Sequence, residues 1–296
     1  MLVRWNWRIA AGLVILLALT GGALLSPRGL SKPTPPPAGT RVLTVMVANV
    51  LGGGADPEAV AKLIQTHKPD IVSLPEAQVD VRQEIERYLQ GASYFGYTQQ
   101  ANAAVESATS VLVSSALGAV HFDAERLDTG KVSSELPGTA KPGAGEPGAE
   151  TTGPVRQTTT QFGHIIVTGG NLGKLRLIAY HGYPPLPKDV TTWKQDLQVV
   201  QDWCSAGTQT VLAGDFNATT DHADFRAALS RHCRSVAPAG GAGLQGTWPS
   251  DRPALFRTQI DHVVVTDGIV PGKFKTYNLE GSDHRAVIAT VAVPKN

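Results

Sequence analysis

The sequence predicts a mixed α/β or α+β domain built around a large buried sheet. Two observations carry this. Short β-branched apolar runs alternate along most of the chain with segments whose apolar residues recur at helical spacing, and the chain of 296 residues, 42% hydrophobic and 17% charged, is long enough to bury a full-sized core. All but its ends fit one domain, and no sequence repeat is evident.

The elements follow in order. "RVLTVMVANV" (41–50) reads as a buried strand. "DPEAVAKLIQTHKPD" (56–70) is a helix with Asp56 as N-cap, Pro57 in the first turn, and Val60, Leu63 and Ile64 on one face. "DIVSLPEA" (70–77) is a second buried strand, residues 79–90 a second helix, and "SATSVLVSS" (107–115) a further strand. Residues 131–155 break the pattern: nine of 25 positions are Gly or Pro, too little apolar surface to offset the entropy of ordering, so a flexible insertion is expected there. The sheet resumes at "QFGHIIVTG" (161–169) and continues through "GKLRLIAYHGYPP" (173–185), a helix over about 190–204, "TQTVLAGDFN" (208–217), a helix over about 222–232, "QIDHVVVTDG" (259–268) and the closing strand "RAVIATVAV" (285–293). Asp221 is placed to cap the helix of 222–232.

The ends carry different information. Arg4 and Arg8 precede an uncharged apolar run from Ile9 to Leu25, at the short limit for a spanning helix, and "SKPTPPPAGT" (31–40) reads as a semi-rigid spacer. The expected organisation is an N-terminal signal anchor over 1–25, a Pro-rich linker over 26–40, and a catalytic domain over 41–296. The protein would then be a single-pass membrane protein with its domain outside the cytoplasm, or secreted if the signal is cleaved. Cys204 and Cys233 are the two cysteines; each extends an apolar helical stripe, and in an oxidising compartment they are expected to pair. Setting aside the four basic residues of 1–40 leaves 22 basic against 25 acidic residues, −3. That balance argues against a grip on long nucleic acid, whose phosphates would call for a basic surplus.

Polar residues interrupt or end the apolar runs: Asn49, Glu76, His181, Asp215 with Asn217, Asp261, and Asp283 with His284. In an extended chain, positions two apart share a face, so Asp215 and Asn217 point into one space beyond the last rung of a sheet. Strand ends of one sheet converge on one rim, and a rim of carboxylates, amides and histidines suits a hard cation such as Mg²⁺ or Mn²⁺ together with a phosphate. A nearby Asp can then deprotonate water and a histidine can bind a phosphoryl oxygen as charge develops.

With "VANV", "LPEA", "YHGYPP", "GDFNA", "QIDHV" and "GSDHRAV" in this order, residues 41–293 resemble the endonuclease/exonuclease/phosphatase superfamily, which includes deoxyribonuclease I, sphingomyelinases and inositol polyphosphate phosphatases. The resemblance implies a two-layered mixed β-sandwich flanked by helices and metal-dependent hydrolysis of a phosphodiester or phosphomonoester. It makes Glu76 the principal metal ligand, with Asn49 and Asp283 in the metal and phosphate shell. Asp215 activates the water and Asn217 positions it or the phosphate. His181 contacts the scissile phosphate, and His284 stabilises the transition state with its tautomer fixed by Asp261.

The chain also departs from better-known relatives. Pro75 precedes the metal glutamate where many have Gln, and "SATSVLVSS" stands where many have a Gly-rich strand ending in Ser-Arg, leaving the substrate-contacting arginine unassigned. Trp248 reads best as a packing residue, and His262 should point away from the site, opposite Asp261. Roles for Tyr183, Arg257 and Arg285 stay open. The expected substrate is a lipid or envelope-linked phosphate ester reached by a monomer held at the membrane; a nuclease acting on extracellular DNA or RNA, and a non-catalytic binding module on the same fold, are the alternatives.

Overall fold

The computed structural model describes residues 12–16, 28–123, 161–229 and 231–295. The insertion over 131–155 therefore lies outside the described residues, as does all of the 1–25 segment except 12–16, which are helical. Among the described residues no helix is long and apolar enough to cross a membrane.

Among the described residues, twelve strands form two six-stranded sheets. The first has the order β11-β12-β1-β2-β4-β3, where β1 is Thr40–Val47, β2 Ile71–Pro75, β3 Tyr94–Gln100, β4 Ala108–Ser114, β11 Val270–Asn278 and β12 Arg285–Pro294. The second runs β5-β6-β7-β8-β10-β9, with β5 Val120–Asp123, β6 His164–Gly169, β7 Arg176–His181, β8 Thr210–Asp215, β9 Cys233–Ser235 and β10 Asp261–Thr266. Helices α1 (Pro57–His67) and α2 (Val79–Tyr88) cover the first sheet, and α3 (Val190–Ser205) and α4 (Ala223–Leu229) the second. A short helix α5 (Val236–Ala239) follows β9.

Side-chain alternation decides which residues meet between the sheets. From the first sheet Val45, Val47, Val111, Val113, Val287 and Val291 face inward against Leu177, Ala179, Val211, Ala213, Val263 and Val265 of the second. The intervening residues face the helices: Met46, Val72, Leu74 and Leu112 pack under α1 and α2, while Ile178, Tyr180, Leu212 and Val264 pack under α3 and α4. Both faces of the central strands are thus buried, which is why they read as continuous apolar runs rather than as alternating ones.

Each sheet has one parallel pair at its centre, β1 with β2 and β7 with β8. A parallel pair ends both strands on the same side. The antiparallel neighbours β12 and β10 begin on that side, because Val287 lies opposite Val47 and Asp261 opposite Asp215. One rim of the sandwich therefore collects the residues that follow β1, β2, β7 and β8 and those that open β10 and β12.

Several local details differ from the sequence reading. Helix α4 ends at Leu229, so Cys233 lies at the start of β9 rather than on a helix; it still meets Cys204 in a disulfide, with Cα atoms 5.5 Å apart. Asp56 caps α1 by accepting from the Glu58 N–H, as expected. The Asp221 carboxylate instead takes the Arg28 guanidinium at 2.6 Å. That pair ties the Pro-rich linker to the domain, helped by the Gly243 N–H donating to the Arg28 carbonyl. Gly241 permits the same approach: its φ is +74°, and a Cβ there would lie 2.0 Å from the Ser31 carbonyl oxygen. Arg28 and Ser31 of the linker thus lie against the domain.

Candidate active site

The rim brings together Asn49, Glu76, His181, Asp215, Asn217, Asp261, Asp283 and His284. Asp215 ends β8, 1% exposed, and Gly214 before it is fixed by crowding: a Cβ there would lie 1.7 Å from the Tyr180 carbonyl oxygen on β7. The Asp215 Oδ2 lies 3.8 Å from His284 Nε2 and 3.9 Å from His181 Nε2. It also accepts from Asn49 Nδ2 at 3.2 Å, and the same amide donates to Glu76 Oε1 at 2.9 Å. Asn49, fully buried, thus bridges Asp215 at the end of β8 in one sheet and Glu76 just after β2 in the other. Glu76 itself stands in left-handed backbone, φ 62°, a conformation costly for a non-glycine residue and held by the Glu76 N–H donating to the Ala108 carbonyl.

Asn217 also stands in left-handed backbone, φ 47°; its backbone N–H donates to Asp215 Oδ1 at 2.8 Å and its side-chain amide to the Gly182 carbonyl at 3.0 Å. Asn217 therefore fixes the rotamer of Asp215 and braces the loop after His181. His181 is buried, stacked on Phe162 with ring centroids 4.3 Å apart and planes 4° from parallel. Its Nδ1 is buried without a hydrogen-bond partner, and the Glu106 backbone lies close enough to influence its charge.

His284 and Asp261 form a buried pair, Nδ1 to Oδ2 2.9 Å. Asp261 is held by backbone: Thr247 Oγ1 accepts from the N–H groups of Ile260 and Asp261. Asp283 is half-exposed; its Oδ2 accepts from the Trp248 indole N–H at 2.9 Å, while its Oδ1 is buried and has no hydrogen-bond partner. Trp248 is thus more than packing, because it aims a carboxylate of the site.

Ser282, Thr247 and Phe162 were not singled out in the sequence. Ser282 Oγ donates to the Asn49 carbonyl at 2.8 Å and accepts from the His284 N–H, joining the end of β1 to the start of β12. The only sequence signal for Ser282 was its place inside "GSDHRAV". His262 points away, between Phe216 and Phe225, with its Nε2 against the Ala218 carbonyl. Arg285 turns to Thr276 and Asn278 rather than to the site.

Electrostatics separates the roles. Burial first, and the Asp261 charge second, push the Asp215 carboxyl up to about 7, which poises a base near neutrality. Burial opposes charge on His284, yet Asp261, by charge and by hydrogen bond, and then Asp215 and Asp283 outweigh it and hold the imidazole up to about 10, so it is an imidazolium donor at neutral pH. Burial and the neighbouring His284 charge push His181 down to about 3, leaving it neutral. Glu76 is raised, by burial above all and also by Asp283 and Glu106.

The chain matches a family model described as Endonuclease/Exonuclease/phosphatase family over residues 46–284. The chain belongs to the endonuclease/exonuclease/phosphatase family. Among solved structures it is similar to a humanized D. rerio TDP2, at 17% identity and TM-score 0.60, covering 84% of this chain and 98% of that one. D. rerio TDP2 complexed with single strand DNA product aligns with TM-score 0.60 and 16% identity over 84% of this chain and 98% of that chain. A family protein from Bacteroides thetaiotaomicron aligns with TM-score 0.57 and 15% identity over 86% and 98% of the two chains. These likenesses establish the two-sheet fold. No curated protein matches the chain.

Two sets of side chains invite a cation. Asp215, Asp261 and His284 place ligand atoms within 4.8 Å of one another. Asp261 already binds the His284 ring, however, and an imidazolium excludes a metal. The fit is better at the carboxylates Glu76 and Asp283: Glu76 is raised by burial above all and also by the Asp283 charge, Asp283 has a buried oxygen with no hydrogen-bond partner, and Asn49 stands alongside, holding Glu76 through its amide nitrogen. Family membership implies a divalent metal, and this is the set suited to hold it.

Proposed function

We propose that the protein is a Mg²⁺- or Mn²⁺-dependent phosphoesterase that hydrolyses a phosphodiester or phosphomonoester by water attack on phosphorus. The observation that carries this reading is Asp215, buried and raised toward neutrality, standing within 4 Å of two histidines in opposite states of charge. Asp215 takes the proton from the attacking water; Asn217 holds its other oxygen so that Oδ2 faces the reacting atoms. His284 donates from Nε2 to a phosphoryl oxygen as negative charge grows, and Asp261 keeps it charged and fixed in orientation. His181, clamped by Phe162, contributes a neutral ring against the phosphate from the opposite side of Asp215. A divalent ion held by Glu76, Asn49 and Asp283 would supply electrostatic neutralisation of the phosphate and its leaving oxygen.

The apolar run of 9–25 after Arg4 and Arg8 supports a place at the membrane with the domain outside the cytoplasm, and the −3 balance of 41–296 supports a lipid or envelope-linked ester. The similarity to a structure of TDP2 bound to single strand DNA product supports a second reading, a nuclease acting on short strands.

Hydrolysis of bis-p-nitrophenyl phosphate and p-nitrophenyl phosphate, with Mg²⁺ or Mn²⁺ and with EDTA, tests the proposal. Turnover that EDTA abolishes, and that falls about 10³-fold in Asp215→Ala, is expected. Absence of turnover with every divalent metal would leave a binding module on the same fold.

A further inference from the structure

Beside the active site, on the outer flank of the first sheet, lies a groove of about 720 Å³ whose walls are α1 and the segment around Arg257. Lys62, Thr66 and His67 form one wall; Ser250, Arg257 and Asn278 form the other, above a floor that includes Leu63 and Leu279. Ser250 joins this groove to the reaction centre. Its backbone N–H donates to the Asp283 carbonyl at 2.6 Å, its hydroxyl donates to the Ser282 carbonyl, and Trp248, two residues earlier, donates to the Asp283 carboxylate. The groove therefore adjoins the backbone that carries Asp283 and His284.

Its charges are unbalanced. Arg257 is half-buried and spends one donor on the Arg252 carbonyl; the rest of its guanidinium, and the Lys62 ammonium, meet no carboxylate among the described residues. Arg285 underlies the same wall through Asn278, close enough to Arg257 for the two charges to oppose each other. The one carboxylate at the lip, Glu280, is exposed. A domain of net negative charge that keeps like cations together in a concavity, rather than pairing them, leaves a standing attraction for an anion.

Building on the phosphoesterase reading, we infer that this groove binds a second, uncleaved phosphate of the substrate, so that the natural substrate carries at least two phosphates linked through a chain. Lys62 from α1 and Arg257 from the opposite wall would hold that phosphate while the first lies against His284 and Asp215.

Isothermal titration of inorganic tripolyphosphate into the metal-free full chain tests the groove without turnover. Wild type is expected to bind with an affinity that falls as salt rises, and the double variant Lys62→Gln/Arg257→Gln to bind about tenfold more weakly. Equal affinity in both would overturn the inference. Kinetics then names the source of the phosphates: for the double variant, kcat/KM on bis-p-nitrophenyl phosphate should stay within about twofold of wild type, while KM rises about tenfold on either a thymidine oligonucleotide or a glycerophosphate oligomer. An equal loss on the single-phosphate ester, or unchanged KM on every multi-phosphate substrate that is cleaved, would also overturn it. If no ester is hydrolysed at all, the catalytic reading fails and the tripolyphosphate titration still decides the groove.

Discussion

Each polar residue at the rim is held by a partner far away in the chain, and that is where the chemistry gains its precision. Asp261 keeps His284 charged: below about 10 the ring carries its proton, and above it the donor is lost. In Asp261→Asn the main support for that charge disappears, so the alkaline limb of the kcat/KM profile should move down by about two pH units, and the acid limb, set by Asp215, should move down as well because the Asp261 charge that helps raise Asp215 is gone. An unchanged alkaline limb would mean that His284 does not act as an acid. Trp248 acts on Asp283, one of the proposed metal carboxylates. In Trp248→Phe the Asp283 carboxylate loses its indole donor, and the Mg²⁺ concentration giving half-maximal activity should rise at least about tenfold with little change in kcat at saturating metal. The residues that the structure brings to the rim were marked in the sequence where a polar side chain ended or interrupted an apolar run, as at Asn49, Glu76, His181, Asp215 and Asp261. That mark is missing for Ser282, whose partner Asn49 is 233 positions away, because nothing local marks a serine as a tie between two distant strands. It is missing likewise for Phe162, which stacks on a histidine across the rim.

At the scale of elements, the strands buried on both faces were legible and the half-exposed ones were not. β11 carries Pro271 and a register break before Phe274, with Lys273 and Lys275 exposed, so neither periodicity stands out. β3, "YFGYTQQ", is an edge strand with mostly intermediate exposure, broken by Gly96. β9 is three residues long. The helix reading over 222–232 ran past Leu229 because Cys233 continued the apolar stripe, although the disulfide, not helical packing, accounts for its burial. That bridge closes a sequence separation of 29 and fastens α3 to β9 beneath the second sheet. Replacing both cysteines by Ala should cost about 3–4 kcal/mol of unfolding free energy in denaturant titrations, with catalysis at low temperature intact, since neither residue touches the rim. A loss below about 1 kcal/mol would show that packing of Trp203 and Phe225 holds this layer by itself.

For the whole molecule, the decisive feature is that two sheets each place a parallel pair at their centre and face the same way, so that strand ends distant in sequence arrive on one rim. No single motif requires that arrangement; the order and spacing of all six motifs together made it readable. The choice of cation site could not be read in the same way, because whether Asp261 serves a metal or a histidine depends on a 2.9 Å contact between residues 23 apart. Anomalous diffraction from crystals of the protein grown with Mn²⁺ tests this directly. A manganese peak bounded by Glu76, Asn49 and Asp283, with the Asp261–His284 hydrogen bond intact, is the predicted result; a peak coordinated by Asp215, Asp261 and the His284 ring would contradict the account.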